Sequence, residues 1–245
     1  MDIATTIALS RLTAQSRAMD VIAGNMANTN TPGYRAERMV FADWLSPQTG
    51  TDAPKGGRTL SYTQDRATYR NQAEGTLTQT GNPLDLALSG EGFFTVQTQA
   101  GTRLTRAGRF TLQGDGSITD EAGNALLDNA GAPMRVSAAD TQLTVTADGT
   151  LSSQNGPIGK IGVARPTDAN RMTAEGSRLF RADVPTVSVA APHIIQGAVE
   201  DSNVQAIPEL VSMMSTQREF QFVTQFVEAE GQRHQTAIDK IAAPV

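Results

Sequence analysis

The chain has 245 residues, 39% of them hydrophobic, a formal net charge of −5 and no cysteine. That length suffices for one large or two modest domains with a real core. The acidic balance, with Lys and Arg scattered along the chain, excludes the basic face of a nucleic-acid binder, and the lack of cysteine excludes disulfide scaffolds, thiol catalysis and cysteine metal sites.

At the N-terminus Asp2 comes first and Arg11 is late, so there is no basic region ahead of an apolar stretch and a cleaved secretory signal is not expected. No run approaches the length of a membrane-spanning helix, and membrane insertion is not expected either. Alternating steps of four and three from Thr5 land on Leu9, Leu12, Ser16, Met19, Ala23 and Met26. Most of these are apolar, which is the spacing of one helix face written in heptads. Charge is sparse here, with Asp2, Arg11, Arg17 and Asp20 alone among the first thirty residues, so such a helix calls for partners on more than one side. It stops at Asn28-Thr29-Asn30-Thr31, whose side chains favour local backbone bonds, and Pro32-Gly33 suits the two central positions of a type II turn. Residues 1–34 are therefore read as the first half of a terminal helical domain.

After the turn, Met39, Val40, Phe41, Trp44 and Leu45 form an apolar knot expected to pack against the base of the helices. Residues 35–75 are read as an extended connector, with one or two short strands around Leu60–Tyr62 and Ala67–Tyr69. From residue 76 the texture changes. Leu84, Leu86 and Leu88 alternate, Phe93-Phe94-Thr95-Val96 follows a Gly90-Glu91-Gly92 bend, and Gly108 breaks the stretch between Arg103–Thr105 and Arg109–Leu112. Asp115-Gly116 and Asp120 to Asn124 are turn chemistry, Leu143 to Leu151 reads as a hairpin around Asp148-Gly149, and Ile158–Ala164 reads as one further strand. Turn signals every eight to twelve residues or so point to an all-β domain over 76–199.

The last segment, 200–245, returns to helix. From Leu210 the alternating step gives Met213, Gln217, Phe220, Thr224, Val227, Gly231, His234, Ile238 and Ile241. Pro208 suits a first helical turn, with Ser202 or Asn203 as the cap or turn residue before it. At helical rise the two terminal segments span roughly 39 and 50 Å, and neither is expected to be stable without packing its apolar face. The fold class expected is thus α+β: N- and C-terminal helices pairing as a coiled coil, with an all-β domain inserted between them.

Catalytic and cofactor signatures fail one after another. His193 and His234 are too far apart for a zinc spacing. Gly90-Glu91-Gly92 lacks the third glycine of a dinucleotide fingerprint, and Gly159-Lys160 lacks the rest of a phosphate loop. Asp115, Asp120 and Glu121 miss the calcium-loop spacing, and no nucleophile elbow is present. The reading is no catalytic residue, no cofactor, no metal and no enzyme.

Four blocks carry a resemblance. Met19 to Asn28 followed by Thr31-Pro32-Gly33-Tyr34 resembles the N-terminal motif of the flagellar rod and hook family, with Gly24 where that family often has Asn and Met26 where it has Leu. Gly81-Asn82-Pro83-Leu84-Asp85 through Phe94 resembles the start of its β-domain, Leu104 to Phe110 its next block, and Val199 to Val204 with Leu210 to Gln221 its C-terminal signature. The length is nearer to the rod members than to the longer hook protein.

The resemblance implies a structural subunit of the periplasmic rod of the flagellar basal body. It would pass through the flagellar type III export apparatus without a cleaved signal, and its partners would be other rod subunits and copies of itself in a helical stack that transmits torque. Termini of this kind are expected to order on assembly. Leu9, Leu12, Met19, Met26, Leu210, Met213, Phe220 and Val227 are the residues expected to carry coiled-coil and intersubunit packing, while Asn25, Asn28, Pro32, Gly33 and Tyr34 fix the turn. Replacing Gly33 by Val is expected to impair assembly and leave the β-domain folded. Of two competing readings, a secreted glycan-binding β-domain gives no reason for matched heptads at both ends of the chain, and a cell-wall-cleaving enzyme would show activity that is lost on mutating one acidic pair.

Overall fold

The structure, a computed structural model, describes the backbone of residues 3–47 and 59–242; the side chains of residues 3, 4, 41–67 and 242 lie outside the described part. The chain divides into two compact units, one made of Met1–Ala27, Glu37–Tyr69 and Gln205–Val245, the other of Asn28–Ala36 and Arg70–Val204.

The first unit holds the two helices, α1 (Ile3–Ala27) and α2 (Ala206–Ala242), and the strands β1 (Glu37–Pro47) and β2 (Thr59–Arg70), which pair as a two-stranded sheet. The N- and C-terminal helices pack together as expected. They run antiparallel: Asn25 reaches Glu209 near one end and Gln15 Nε2 donates to Glu219 Oε2 at 3.2 Å further along. The buried side of α1 is Ala8, Ala14, Gln15, Ile22 and Asn25. This is one residue out of step with the Leu9–Leu12–Met19–Met26 line; Leu9 points to solvent, and Leu12, Met19 and Met26 are half-buried. On α2 the line Met213, Phe220, Val227 is half-buried as expected, but its companion line is Glu209, Thr216, Val223 and Glu230, and Leu210 is exposed. The α1 seam uses Ala8, Ala14, Gln15 and Asn25 around a single large apolar residue, Ile22, while Leu9 stands outside it.

β2 runs without a break across both places where one or two short strands were expected. The packing of Phe41, Trp44 and Leu45 lies outside the described residues.

The second unit is the β-domain. Its first strand, β3 (Leu77–Gln79), pairs with the last, β18 (Ala198–Glu200), and β4 (Leu86–Ser89) pairs with β17 (His193–Gln196), so the two ends of the domain are zipped together. The main sheet contains β5 (Phe93–Thr98), β6 (Gly101–Thr105), β7 (Phe110–Leu112), β8 (Ile118–Asp120), β9 (Ala125–Leu126), β14 (Met172–Glu175) and β15 (Leu179–Ala182) in the order β14-β15-β6-β5-β9-β8-β7. A small antiparallel sheet of β10 (Thr144–Val145), β11 (Thr150–Ser153) and β12 (Gly156–Lys160) stands beside it. Finally β13 (Val163–Pro166) joins β5 to β16 (Thr186–Ser188).

The single strand expected over Ile158–Ala164 is therefore two. The split falls at Gly162, where a Cβ would lie 2.4 Å from the Thr95 hydroxyl and 2.5 Å from the Asp128 carbonyl. Alternation along β5 sends Phe94 and Phe93 to opposite faces. Phe94 meets Phe110 edge-on at 5.5 Å in the main core with Leu86, Leu88 and Val96, and Phe93 meets Phe180 at 5.6 Å in a second cluster with Leu104. The acidic turn residues serve the turns: Asp115 Oδ1 accepts the Ser117 amide, and Asp120 Oδ1 accepts those of Ala122 and Asn124.

Candidate functional site

The expected turn forms. Tyr34 N donates to Thr31 O at 3.1 Å, and Gly33 has φ of 70°, the left-handed value required of the third residue of a type II turn. Asn28 closes the approach to it, its carbonyl accepting Thr31 N and its Oδ1 accepting the Thr31 hydroxyl. The turn belongs to the β-domain unit. Gly33 N donates to the Glu200 carbonyl at 2.7 Å, and a Cβ on Gly33 would stand 2.3 Å from Ala107 N. A side chain there would press on the backbone of Arg106 and Ala107 in the β-domain unit.

Around the turn lies a buried ionic cluster. The Glu200 carboxylate accepts from Arg106 at 2.9 Å and from Arg35 at 3.3 Å, and all three side chains are buried. Both guanidinium groups also lie over the Phe93 ring. Burial lowers the pKa of Arg35, the charge of Arg106 lowers it further, and Glu200 draws it back up. Asn203 is a second hub: its Oδ1 accepts Ala36 N at 2.7 Å, and its Nδ2 donates to the carbonyls of Asn71 and Ala73. Tyr34 is buried with Ala36 and Val204, and its carbonyl accepts Asn203 N.

In the helical unit Asn25 plays the comparable part. Its Nδ2 donates to Glu37 O and its Oδ1 accepts Glu37 N, both at 2.9 Å, so one side chain ties the end of α1 to the start of β1. Nδ2 lies 3.4 Å from Glu209 Oε2, and Arg38 pairs with the other oxygen of that buried carboxylate at 2.6 Å. Glu209 sits in the first turn of α2, where a negative charge is favoured by the helix dipole.

Sequence reasoning singled out Asn25, Asn28, Pro32, Gly33 and Tyr34 but gave no role to Arg35, Arg106, Glu200 or Glu209. Arg106 and Glu200 are 94 residues apart, and no local pattern links them.

The outer side of α2 is the other notable feature. Ile207, Val211, Met214 and Phe222 are exposed on the side away from the seam, with Phe222 at 72%, and Leu210 and Phe226 are exposed at its two flanks. A cleft of about 550 Å³ in the β-domain unit has Arg35, Phe93 and Arg106 in its wall, but its rim groups engage one another, Arg165 with Glu91 at 2.9 Å and Gly90 N with Glu74. Among the described residues there is no cluster that could hold a metal ion, and no helix is long and apolar enough to cross a membrane.

Comparison with known proteins gives this arrangement a family. Residues 6–35 match the family described as flagella basal body rod protein, 87–153 the flagellar hook protein FlgE/F/G D1 domain, and 195–240 the flagellar basal body rod FlgEFG protein C-terminal region. The flagellar basal-body rod protein FlgF of Caulobacter vibrioides is 33% identical over 98% of both chains. The chain belongs to the flagellar basal-body rod family. Within it, the FlgF of Mesorhizobium japonicum is 34% identical over 88% of both chains, and the rod protein FlgG of Bacillus subtilis is 30% identical over 83% of this chain and 85% of its own. The protein is a FlgF-like rod protein, structural rather than enzymatic. The matches at the two termini cover α1 with its turn and most of α2, and the central match covers the heart of the β-domain unit.

Proposed function

We propose that this chain is a subunit of the periplasmic rod, in its proximal part, that joins copies of itself and other rod subunits through the outer faces of its terminal helices. The observation that carries this reading is the exposed apolar set Ile207, Val211, Met214 and Phe222 on the side of α2 away from α1, flanked by exposed Leu210 and Phe226. A helix whose apolar residues lie on both sides has one partner in its own chain and needs another. At about 25 cal/mol per Å², covering such a row with a neighbouring helix stabilises assembly by several kcal/mol per subunit.

Leu9, Leu12, Met19 and Met26 are assigned to the same contacts, since the α1–α2 seam leaves Leu9 exposed and the other three only half-buried. Asn25, Asn28, Pro32, Gly33 and Tyr34 hold the chain reversal that lets one helix and one β-domain belong to the same subunit. Likeness to FlgF proteins over nearly the whole chain supports the proximal position, and a distal, FlgG-like position is the second reading. Export through the flagellar type III apparatus, without a cleaved signal, belongs to the same proposal.

The test is genetic and biochemical. The chain is expressed in its bacterium after deletion of its gene, and basal bodies are purified. Recovery of the protein in rods, with swimming restored, supports the reading; a soluble protein absent from basal bodies, with motility unchanged by the deletion, overturns it.

A further inference from the structure

The turn between β11 and β12 is Gln154-Asn155, and it leads directly into Gly156, which pairs with Ser153 across the hairpin. Asn155-Gly156 is the one Asn-Gly step in the chain. Asparagine is a thermally labile residue, and the amide nitrogen of the residue after it is its internal nucleophile. Glycine leaves that nitrogen unshielded, because it carries no Cβ. The surroundings add no shield either: Asn155 is exposed, Gly156 has a φ of 128°, and a Cβ built on it would meet nothing within 4 Å.

The side chains of this turn hold a neighbouring segment, 137–142, which leads into β10. Gln154 Oε1 accepts the amides of Thr141 and Gln142, and its Nε2 donates to Ala139 O at 2.7 Å. Asp140 Oδ1 accepts Ser153 Oγ at 2.6 Å and Asn155 Nδ2 at 2.8 Å. These two donors hold the Asp140 carboxyl below its ordinary value. Gln154 and Asn155 are exposed, so water competes for their bonds and the clasp opens locally at little cost.

We infer that Asn155 is a self-modifying site: it deamidates through Gly156, and the product releases segment 137–142. In the first step Gly156 N bonds to Asn155 Cγ and gives up its proton to water, the Cγ–Nδ2 bond breaks, and ammonia leaves with a proton from the solvent. The five-membered imide then takes up one water. Opening at one carbonyl gives aspartate, and opening at the other gives isoaspartate, whose main chain runs through Cγ. Either product puts a carboxylate where Nδ2 donated to Asp140, so an attraction at 2.8 Å becomes a repulsion between like charges. Isoaspartate also lengthens the two-residue turn, against the Ser153–Gly156 pairing. The change is one-way, so the converted fraction records the age of the chain. The Asp-Gly steps at Asp115 and Asp148 are poorer candidates, because an ionised carboxylate resists nucleophilic attack. Their glycine amides also donate within their own turns, Gly116 N to Gln113 O at 3.0 Å and Gly149 N to Thr146 O at 2.9 Å. The inference concerns the β-domain unit alone and stands apart from the rod reading.

The unsubstituted full-length chain is kept warm at mildly alkaline pH and sampled over several weeks. Digestion in mild acid, which suppresses conversion during handling, is followed by peptide mass mapping and by enzymatic methylation of isoaspartate. Conversion at Asn155 is expected to be at least tenfold faster than at any other asparagine, and Gly156→Ala is expected to slow it at least tenfold. Circular dichroism checks that this variant is folded; where it is not, Asn155→Gln, which sets the amide one methylene further from Gly156 N, takes its place with the same expectation. Amide exchange at Thr141 and Gln142 is expected to be at least tenfold faster in Asn155→Asp than in the parent. Conversion at Asn155 no faster than at the other asparagines overturns the proposal. So does an unchanged rate in the folded variant, or exchange at Thr141 and Gln142 that Asn155→Asp leaves unaltered.

Discussion

Glu200 and Arg106 meet 2.9 Å apart with both side chains only 2% exposed, and the same carboxylate holds Arg35. A buried carboxylate between two guanidinium groups is costly to assemble, yet far more costly to break, since removing it strands two desolvated positive charges. Glu200→Gln is therefore expected to destabilise the β-domain unit by about 3–5 kcal/mol. Denaturant unfolding of the full chain followed by tryptophan-independent far-UV dichroism measures this, and a loss below about 1 kcal/mol would show that the cluster adds little.

Gly33 and Gly81 make a matched pair for the turn. Both have positive φ, 70° and 76°, but a Cβ at Gly33 runs into the backbone of Arg106 and Ala107, whereas Gly81 has nothing within 4 Å. Gly81→Ala is expected to cost about 1 kcal/mol from the backbone alone, and Gly33→Ala at least about twice that, because backbone must move. Equal losses in thermal unfolding would mean that the close approach at Gly33 relaxes freely.

Ile22 and Leu9 separate the intrachain seam from the proposed outer contacts. Ile22 is buried and Leu9 is 58% exposed. Ile22→Ala is expected to lower monomer stability by about 2–4 kcal/mol. Leu9→Ala is expected to change it by less than about 0.5 kcal/mol while weakening incorporation into basal bodies. Reversal of the two effects in unfolding and pull-down measurements would place the seam on the other face of α1.

Those two residues also show how far the sequence can be read. The turn was legible because Pro32-Gly33 permits few conformations, and Gly33 adopts the φ that follows from them. The existence of both helices was legible from heptad spacing, but the buried face of α1 was not. Apart from Ile22, its seam is filled by Ala8, Ala14, Gln15 and Asn25, residues that carry a weak hydrophobic signal or none, while Leu9 carries a strong one and lies outside. The Arg35–Glu200–Arg106 cluster could not be found from local pattern, because strand pairing brings together residues from three distant segments. The full length of β2 was not legible because the apolar residues of Thr59–Arg70, Leu60, Tyr62, Ala67 and Tyr69, are interrupted by polar ones and keep no sustained alternation.

Acid should weaken the β-domain in a defined window. Hydrogen bonds from Ser153 and then Asn155 hold the Asp140 carboxyl below its ordinary value of 3.8, and the hydroxyls of Thr146 and Thr150 do the same for Asp148. A folded-state pKa below the unfolded one contributes stability that is fully present above the ordinary value and is lost as pH falls through the depressed one. The denaturation midpoint is expected to be level near neutrality and to decline below about pH 4. The Asp140→Asn and Asp148→Asn double variant should show a shallower decline, and an unchanged acid slope would remove these two residues from the account.

The central claim is that the outer face of α2 is made for a neighbouring subunit, and Phe222, 72% exposed and away from the α1 seam, tests it most directly. Phe222→Asp is introduced into the full chain, its monomer stability is compared with the unsubstituted protein, and its amount in purified basal bodies is measured by immunoblotting. The expected result is unfolding behaviour within about 0.5 kcal/mol of the parent with at least a tenfold loss from basal bodies and impaired swimming. A folded Phe222→Asp protein recovered in rods at the parental level, in cells that swim normally, would contradict it.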